Sequence, residues 1–242
     1  MAAERPAAVP DGTIVYAVGD VHGRDDLLAD LHARIAADAA RTGHRRRVLV
    51  HLGDYVDRGP ASRAVVERLV AGPPAGFEAV TLKGNHEAFL LQFLQTIEAG
   101  PGWLANGGDA TLASYGVTPP DPWDADEIEA AQAALRRALP AGHLAFLGGL
   151  RLLHQEGGYL FVHAGIRPWV PIDRQVAADL LWIRDPFLRW EAPLGAVVVH
   201  GHTITRAPDI RTNRIGIDTG AYASGVLTCL VLEGTERRFL AT

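Results

Sequence analysis

Five short segments of this chain place Asp, Asn and His side chains among glycines, directly after runs of apolar residues. These residue types bind metal ions, and burying so many polar groups without a partner would cost several kcal/mol for each group. One Gly-Asp pair alone usually forms a turn, but five such segments in order indicate a metal site. The segments are Gly19-Asp20-Val21-His22-Gly23, Gly53-Asp54-Tyr55-Val56-Asp57-Arg58-Gly59, Gly84-Asn85-His86-Glu87, Val162-His163-Ala164-Gly165 and His200-Gly201-His202-Thr203.

The apolar runs before these segments alternate with amphipathic stretches, which predicts strands that feed helices in an α/β fold. Ligand sites in such folds gather at the carboxyl ends of strands, so we expect the five segments to converge. Predicted strands cover Thr13–Val18, Val48–Leu52, Phe77–Leu82, Leu150–Leu153, Tyr159–Val162, Val197–His200, Ile215–Asp218 and Val226–Leu232. Predicted helices follow Asp25 and Asp26 as far as about Ala40, and cover Ser62–Val70, begun at a Ser cap, and Ala88–Ala99.

The stretch from Gly100 to Pro140 interrupts this alternation. It carries three prolines and then an acidic run before an Ala-rich helix, so we predict an inserted cap segment over residues 100–140. The chain shows no internal repeat and no low-complexity linker, and residues 1–242 are therefore predicted to form a single domain. The sequence leaves open whether the cap segment moves.

Composition excludes several classes of protein. Apolar residues make up 48 % of the chain and charged residues 21 %, which is typical of globular proteins. The net charge is −5 and no basic run is long, so we do not expect a nucleic-acid partner. No apolar stretch is long enough to span a membrane, and the N-terminus lacks the features of a signal peptide. We therefore expect no membrane partner and a cytoplasmic location.

The ordered set GDVHG, GDYVDRG, GNHE, HAG and GHT resembles the calcineurin-like metallophosphoesterases. Within that superfamily it is most similar to the phosphoprotein phosphatase branch, which holds bacterial serine/threonine protein phosphatases and symmetrical diadenosine tetraphosphatases. The sequences LWIR at 181–184 and IDTG at 217–220 also resemble the bacterial group. The resemblance implies a four-layer α/β fold in which two mixed β-sheets are flanked by helices, with a dinuclear metal centre at the strand ends.

The resemblance also implies the metal ligands. Asp20 and His22 would bind the first metal, Asp54 would bridge both, and Asn85, His163 and His202 would complete the second. The chemistry is consistent, because a carboxylate offers lone pairs to two ions whereas an imidazole donates only one. A mixed oxygen and nitrogen shell suits manganese, iron or zinc better than magnesium or calcium. We expect two divalent ions, with manganese as the first choice and iron or zinc as alternatives.

Two such ions, about 3.5–4 Å apart, would lower the pKa of a bridging water, and the resulting hydroxide would attack the phosphorus in line. The resemblance implies that His86 is the general acid and that Asp57 orients it. Arg58 would bind the phosphoryl group, with Arg184 as a second clamp and Asn85 beside the substrate. Arg184 precedes an Asp, however, and such a pair is also common on protein surfaces.

The expected reaction is hydrolysis of phosphomonoesters. The expected substrates are phosphoserine and phosphothreonine in proteins, with phosphotyrosine or a small phosphate ester as further candidates. A symmetrical dinucleoside tetraphosphate hydrolase is the alternative, and a catalytically inactive phosphate-binding regulatory module is an alternative of another class. Ile204 stands where many nucleases of the superfamily carry the second His of Gly-His-x-His, which favours the phosphatase branch. The sequence leaves the oligomeric state open.

Overall fold

The computed structural model describes residues 6–43 and 45–242, so residues 1–5 and 44 of the predicted domain lie outside the described part. The strands are β1 (Thr13–Val18), β2 (Arg46–His51), β3 (Glu78–Thr81), β4 (Leu153–Glu156), β5 (Tyr159–Val162), β6 (Val197–His200), β7 (Asp209–Ile210), β8 (Arg214–Gly216), β9 (Thr228–Glu233) and β10 (Glu236–Ala241). The helices are α1 (Asp25–Ala39), α2 (Ser62–Ala71), α3 (Asn85–Phe93), α4 (Gly100–Trp103), α5 (Asp109–Ser114), α6 (Ala125–Ala138), α7 (Ala141–Gly148), α8 (Ala177–Trp182) and α9 (Ala221–Ser224).

These strands form two five-stranded mixed sheets across the described ranges. The first has the order β10-β9-β1-β2-β3, in which β1, β2 and β3 are parallel and β9 and β10 are antiparallel to their neighbours. The second has the order β4-β5-β6-β8-β7, with a parallel centre and antiparallel edges. The prediction of two mixed sheets is confirmed.

The alternation of side chains along β1 shows how the layers pack. Ile14, Tyr16 and Val18 face the core between the first sheet and its helices, whereas Val15 and Ala17 face the core between the two sheets. Strand side chains alternate between faces, so a strand that is buried on both sides reads as a continuous apolar run. A third core lies between the second sheet and α8. The four-layer arrangement is therefore confirmed.

Helix α3 begins at Asn85 and not at Ala88, where the apolar periodicity placed its start. The Glu87 carboxylate accepts a hydrogen bond from the Gly84 N–H at 2.8 Å. This contact satisfies one of the N–H groups that a helix leaves free at its first turn. Asn85 and His86 consequently lie in the first turn of a helix and have fixed directions.

Two other element predictions were wrong in detail. Ser62 is the first residue of α2 and does not cap it, because its hydroxyl instead accepts a hydrogen bond from the Asp57 N–H at 3.0 Å. The strand predicted over Leu150–Leu153 runs over Leu153–Glu156 and lies at the edge of the second sheet. Leu150 packs into the helix-side core of the first sheet, so its apolar character reflects burial rather than strand formation.

The predicted cap segment is largely helical and contains α4, α5 and α6. Leu104–Gly108 joins α4 to α5 and is interrupted at Gly107, whose φ of 96° is left-handed. Trp103, Leu112 and Leu135 are completely buried in the same core as α1 and α2. Among the described residues, no helix has both the length and the apolar character needed to cross a bilayer.

Candidate metal centre

The carboxyl ends of β1, β2, β5 and β6 and the first turn of α3 bring the five polar segments together. The six residues predicted as metal ligands all lie there and all are buried: Asp20, His22, Asp54, Asn85, His163 and His202. Each sits one to four residues beyond a strand or at the start of α3. The strand ends therefore position side chains that are far apart in sequence.

Asp54 lies at the middle of this group. Potential ligand atoms of His22, Asp54 and His86 all lie within 4.8 Å of one another, and the same holds for Asp54, His163 and His202. The Asp54 Oδ2 atom is 3.5 Å from His22 Nε2 and 3.4 Å from His163 Nε2. One carboxylate thus adjoins two sets of nitrogen donors, as a bridging ligand would.

The hydrogen bonds of His163 fix which of its nitrogens can bind a cation. Its Nδ1 lies 3.0 Å from the Leu52 carbonyl oxygen, which can only accept, so Nδ1 carries the proton. In the neutral ring Nε2 then presents a lone pair to Asp54 and to the Asn85 Oδ1, 2.8 Å away. Three electron-rich atoms that face one another repel unless a cation lies among them. Burial lowers the pKa of His163 and so favours this neutral form.

Two other atoms of the group are buried without a hydrogen-bond partner within the described ranges, namely Oδ1 of Asp20 and Nε2 of His202. Buried polar atoms are normally paired, and unpaired ones call for an explanation such as a bound ion. Burial, followed by repulsion from Asp218 and Asp54, raises the pKa of Asp20 well above its usual value. A cation would remove this repulsion, so the donor set fits a divalent metal centre with mixed oxygen and nitrogen ligands.

The loop that carries Asp54 has an unusual backbone. Asp54, Asp57 and Arg58 have φ values of 50°, 70° and 68°, in the left-handed region that non-glycine residues rarely adopt. The buried Glu87 carboxylate holds the start of this loop by accepting hydrogen bonds from the N–H groups of Asp54 at 2.9 Å and Tyr55 at 2.7 Å. Backbone strain of this kind persists only where surrounding contacts enforce it, typically at functional sites.

His86 is held by Asp57. The His86 Nδ1 lies 2.7 Å from Asp57 Oδ2, and its Nε2 faces the centre, 3.9 Å from Asp54 Oδ2. Burial lowers the pKa of His86, but the carboxylates of Asp54 and Asp57 outweigh it and the net shift is upward. Both carboxylates thus favour the protonated ring, in which Nε2 carries a proton that it can donate.

The two predicted phosphate-binding arginines lie on either side of the group. Arg58 donates from Nη1 to His22 Nε2 at 3.0 Å, and its guanidinium lies 5.0 Å from the centre of the Tyr222 ring. Arg184 is exposed, and its Nη2 lies 3.4 Å from the His202 carbonyl oxygen. Asp185, next to Arg184, pairs with Arg189 instead. Both arginines are thus close enough to reach an anion bound at the centre.

Several residues of the site were not singled out from the sequence. Asp218 follows β8, is buried beside Asp20, and has a pKa that burial and Asp54 raise to about 6. Its position at the carboxyl end of a strand could have marked it as a candidate site residue. Glu87, Trp103 and Thr111 act through contacts that no local pattern reveals.

His200, the other histidine of its segment, turns away from the group. Its Nδ1 lies 3.0 Å from the Gly201 carbonyl oxygen, and its Nε2 lies 3.4 Å from Arg214 Nη1. Both ring nitrogens are therefore engaged outside the metal group.

The calcineurin-like phosphoesterase family model matches residues 14–222. The symmetrical bis(5'-nucleosyl)-tetraphosphatase of Dechloromonas aromatica (strain RCB) is 34 % identical over 153 residues, covering 63 % of this chain and 44 % of that protein. Serine/threonine-protein phosphatase 2 of Salmonella typhimurium (strain LT2) is 28 % identical over 223 residues, covering 88 % of this chain and 90 % of that protein.

The chain spans less than half the length of the first curated relatives that it matches, with coverages of 44 %, 38 % and 45 %. The crystal structure of a proposed diadenosine tetraphosphatase matches over 98 % of both chains, with a TM-score of 0.63 and 22 % identity. That likeness shows a shared fold alone.

Proposed function

Because this chain belongs to the calcineurin-like phosphoesterase family, we propose that it is a dinuclear metal-dependent phosphatase that hydrolyses phosphomonoesters. The observation that carries the proposal is Asp54, which adjoins two sets of nitrogen donors at once. The assigned ligands are Asp20 and His22 for one ion, Asn85, His163 and His202 for the other, and Asp54 for both. Manganese is the proposed metal, with iron or zinc as alternatives.

The side chains around the centre have complementary tasks. Two bound divalent cations would supply an acidified water and neutralise charge on the phosphoryl oxygens. Arg58 and Arg184 donate hydrogen bonds to those oxygens and orient the ester. His86, held by Asp57, gives its Nε2 proton to the leaving oxygen as the bond to phosphorus breaks. The products are an alcohol and inorganic phosphate.

We assign protein phosphoserine and phosphothreonine as the substrates, with phosphotyrosine as a further one. One relative that aligns over most of both chains is a serine/threonine-protein phosphatase, which supports this class, and an asymmetrical bis(5'-nucleosyl)-tetraphosphatase aligns over similar shares of both chains. A dinucleoside tetraphosphate hydrolase is the second candidate, since other relatives carry that name. An exposed aromatic ring also favours it: Trp182 is 40 % exposed and lies 6.2 Å from the His202 ring, where it could stack on a base.

A substrate panel separates these candidates. Purified protein with added manganese is assayed with a phosphoserine peptide, a phosphotyrosine peptide, p-nitrophenyl phosphate and diadenosine tetraphosphate. We expect phosphate release from the peptides, with a kcat/KM above that for the dinucleotide. A reversed order would assign the dinucleotide, and no turnover of any ester with manganese, iron or zinc would indicate an inactive phosphate-binding module.

Replacing Arg58 with Ala should weaken the binding of inorganic phosphate. Hydrogen bonds to charged groups contribute about 1.5–3 kcal/mol, so we expect the inhibition constant for free phosphate to rise roughly ten- to a hundredfold. Competitive inhibition of p-nitrophenyl phosphate hydrolysis measures this constant. Arg34→Ala, which removes a half-exposed arginine from α1, is the matched control. An unchanged constant in Arg58→Ala would exclude the clamp.

A further inference from the structure

The Asp57 carboxylate receives more hydrogen bonds than its role beside His86 requires. The Trp103 indole Nε1 lies 3.1 Å from Oδ1 and 3.0 Å from Oδ2, and the Thr111 hydroxyl donates to Oδ1 at 2.6 Å. The Asp57 N–H in turn lies 2.8 Å from the Thr111 hydroxyl oxygen. All three residues are completely buried. Trp103 and Thr111 belong to the predicted cap segment, so this segment directly contacts the loop that carries Asp54 and Asp57.

The same segment packs against both elements that carry the His86–Asp57 pair. Trp103 lies against Phe93 of α3, with ring centroids 4.7 Å apart, and α3 begins at Asn85 and His86. The Gly107 carbonyl accepts from the Arg58 N–H at 3.0 Å. A Cβ atom at Gly107 would lie 2.7 Å from the Arg58 nitrogen, which leaves no room for a side chain. These contacts hold residues 100–114, which we call the brace, in a fixed position against the loop that carries Asp57.

A lid that opens for each substrate would have to break these contacts. The hydrogen bonds from Trp103 and Thr111 end on a buried carboxylate, and breaking them would leave that charge with fewer donors inside the protein. The indole of Trp103 would also leave a packed core. The brace is therefore better suited to holding Asp57 still than to covering the substrate.

Holding Asp57 matters because the terminal torsion of an Asp side chain is soft, with no sharp preferred value. Thr111 donates to Oδ1, and the Trp103 indole N–H is shared between Oδ1 and Oδ2, whereas His86 Nδ1 contacts Oδ2. Donors at both carboxylate oxygens fix the plane of the carboxylate and hence the position of Oδ2 relative to His86. The direction of the imidazole, and hence of its Nε2 proton, then depends on residues 46 and 54 positions away from Asp57 in the chain.

We propose that Trp103 and Thr111 are positioning residues for protonation of the leaving group, acting through Asp57 on His86. This inference rests on the proposed phosphatase function. As the bond between phosphorus and the leaving oxygen breaks, that oxygen takes the Nε2 proton of His86, and water supplies both the oxygen that bonds to phosphorus and the proton that returns to His86. Asp57 keeps the Nδ1 proton hydrogen-bonded throughout, so Trp103 and Thr111 touch neither substrate nor metal.

A series of aryl phosphates tests this proposal, because they share a ring but differ in how much the leaving group needs a proton. The phenolate released from phenyl phosphate needs a proton, whereas the dinitrophenolate released from dinitrophenyl phosphate leaves readily as the anion. A general acid contributes typically about 10²–10⁴-fold, so partial misplacement in Trp103→Phe and Thr111→Val should lower kcat for phenyl phosphate roughly tenfold or more. The loss for dinitrophenyl phosphate should be much smaller, and both variants should keep two metal ions per chain.

Two further variants make the result decisive. Thr111→Ser keeps the hydroxyl and should restore the phenyl phosphate rate, so the Val and Ser pair decides even if Trp103→Phe fails to fold. Trp123→Phe changes an 88 % exposed tryptophan of the cap segment and should alter no rate. An equal loss for every aryl phosphate, or loss of metal, in a folded Thr111→Val would overturn the positioning role. A wild-type protein inert toward the whole series would instead contradict the proposed function.

Discussion

Asp54→Asn should abolish metal binding and, with it, turnover. The substitution replaces the carboxylate that adjoins His22, His163 and His202 by a neutral amide. A metal pair that shares one ligand loses both its bridge and a unit of negative charge, so we expect the bound metal to fall from two ions per chain toward none. Phosphatase activity should fall by several orders of magnitude, because the acidified water depends on both ions.

Elemental analysis of the purified protein measures this loss, and a thermal melt gives a second readout. A metal that binds only the folded state raises the unfolding temperature, so added manganese should stabilise the wild type but not Asp54→Asn. Asp30→Asn, which removes a half-exposed carboxylate of α1, should behave like the wild type. Full metal occupancy in Asp54→Asn would contradict the bridging role.

His86→Asn should have the second largest effect, but without loss of metal. Removing a positioned acid costs typically about 10²–10⁴-fold, and we expect kcat for a phosphoserine peptide to fall in that range. The geometry leaves one competing role, since His86 also lies within ligand distance of His22 and Asp54. Its Nδ1 contact with Asp57 favours the role of acid.

Metal content separates the two roles of His86. If the imidazole is the acid, His86→Asn retains two ions and loses least rate with dinitrophenyl phosphate. If it is a ligand, the variant loses metal and the rate falls by the same factor for every substrate. His154→Asn, which alters a histidine of edge strand β4, should change neither quantity.

The convergence of the site could be predicted from the sequence because it follows from a general rule about strand ends. Asp20, Asp54 and His163 follow β1, β2 and β5, and parallel strands bring their carboxyl ends to one side of a sheet. Strands buried on both faces are also easy to recognise, since they read as unbroken apolar runs.

Other features depend on contacts that no local pattern encodes. Within the described ranges, strand β10 pairs only with β9, and it includes Arg237 and Arg238, so it lacks the apolar run of a central strand. The start of α3 is set by Glu87, whose carboxylate also binds the N–H groups of the distant Asp54 loop. The contacts of Trp103 with Asp57 likewise arise only when the fold brings the cap segment onto that loop.

Anomalous diffraction from crystals grown with manganese tests the shared-carboxylate centre most directly. Two peaks about 3.5–4 Å apart are predicted, with the Asp54 carboxylate between them. His22 should adjoin one peak, and His163 and His202 the other. A single peak, or a pair of peaks that Asp54 does not touch, would contradict the dinuclear centre on which the proposed chemistry depends.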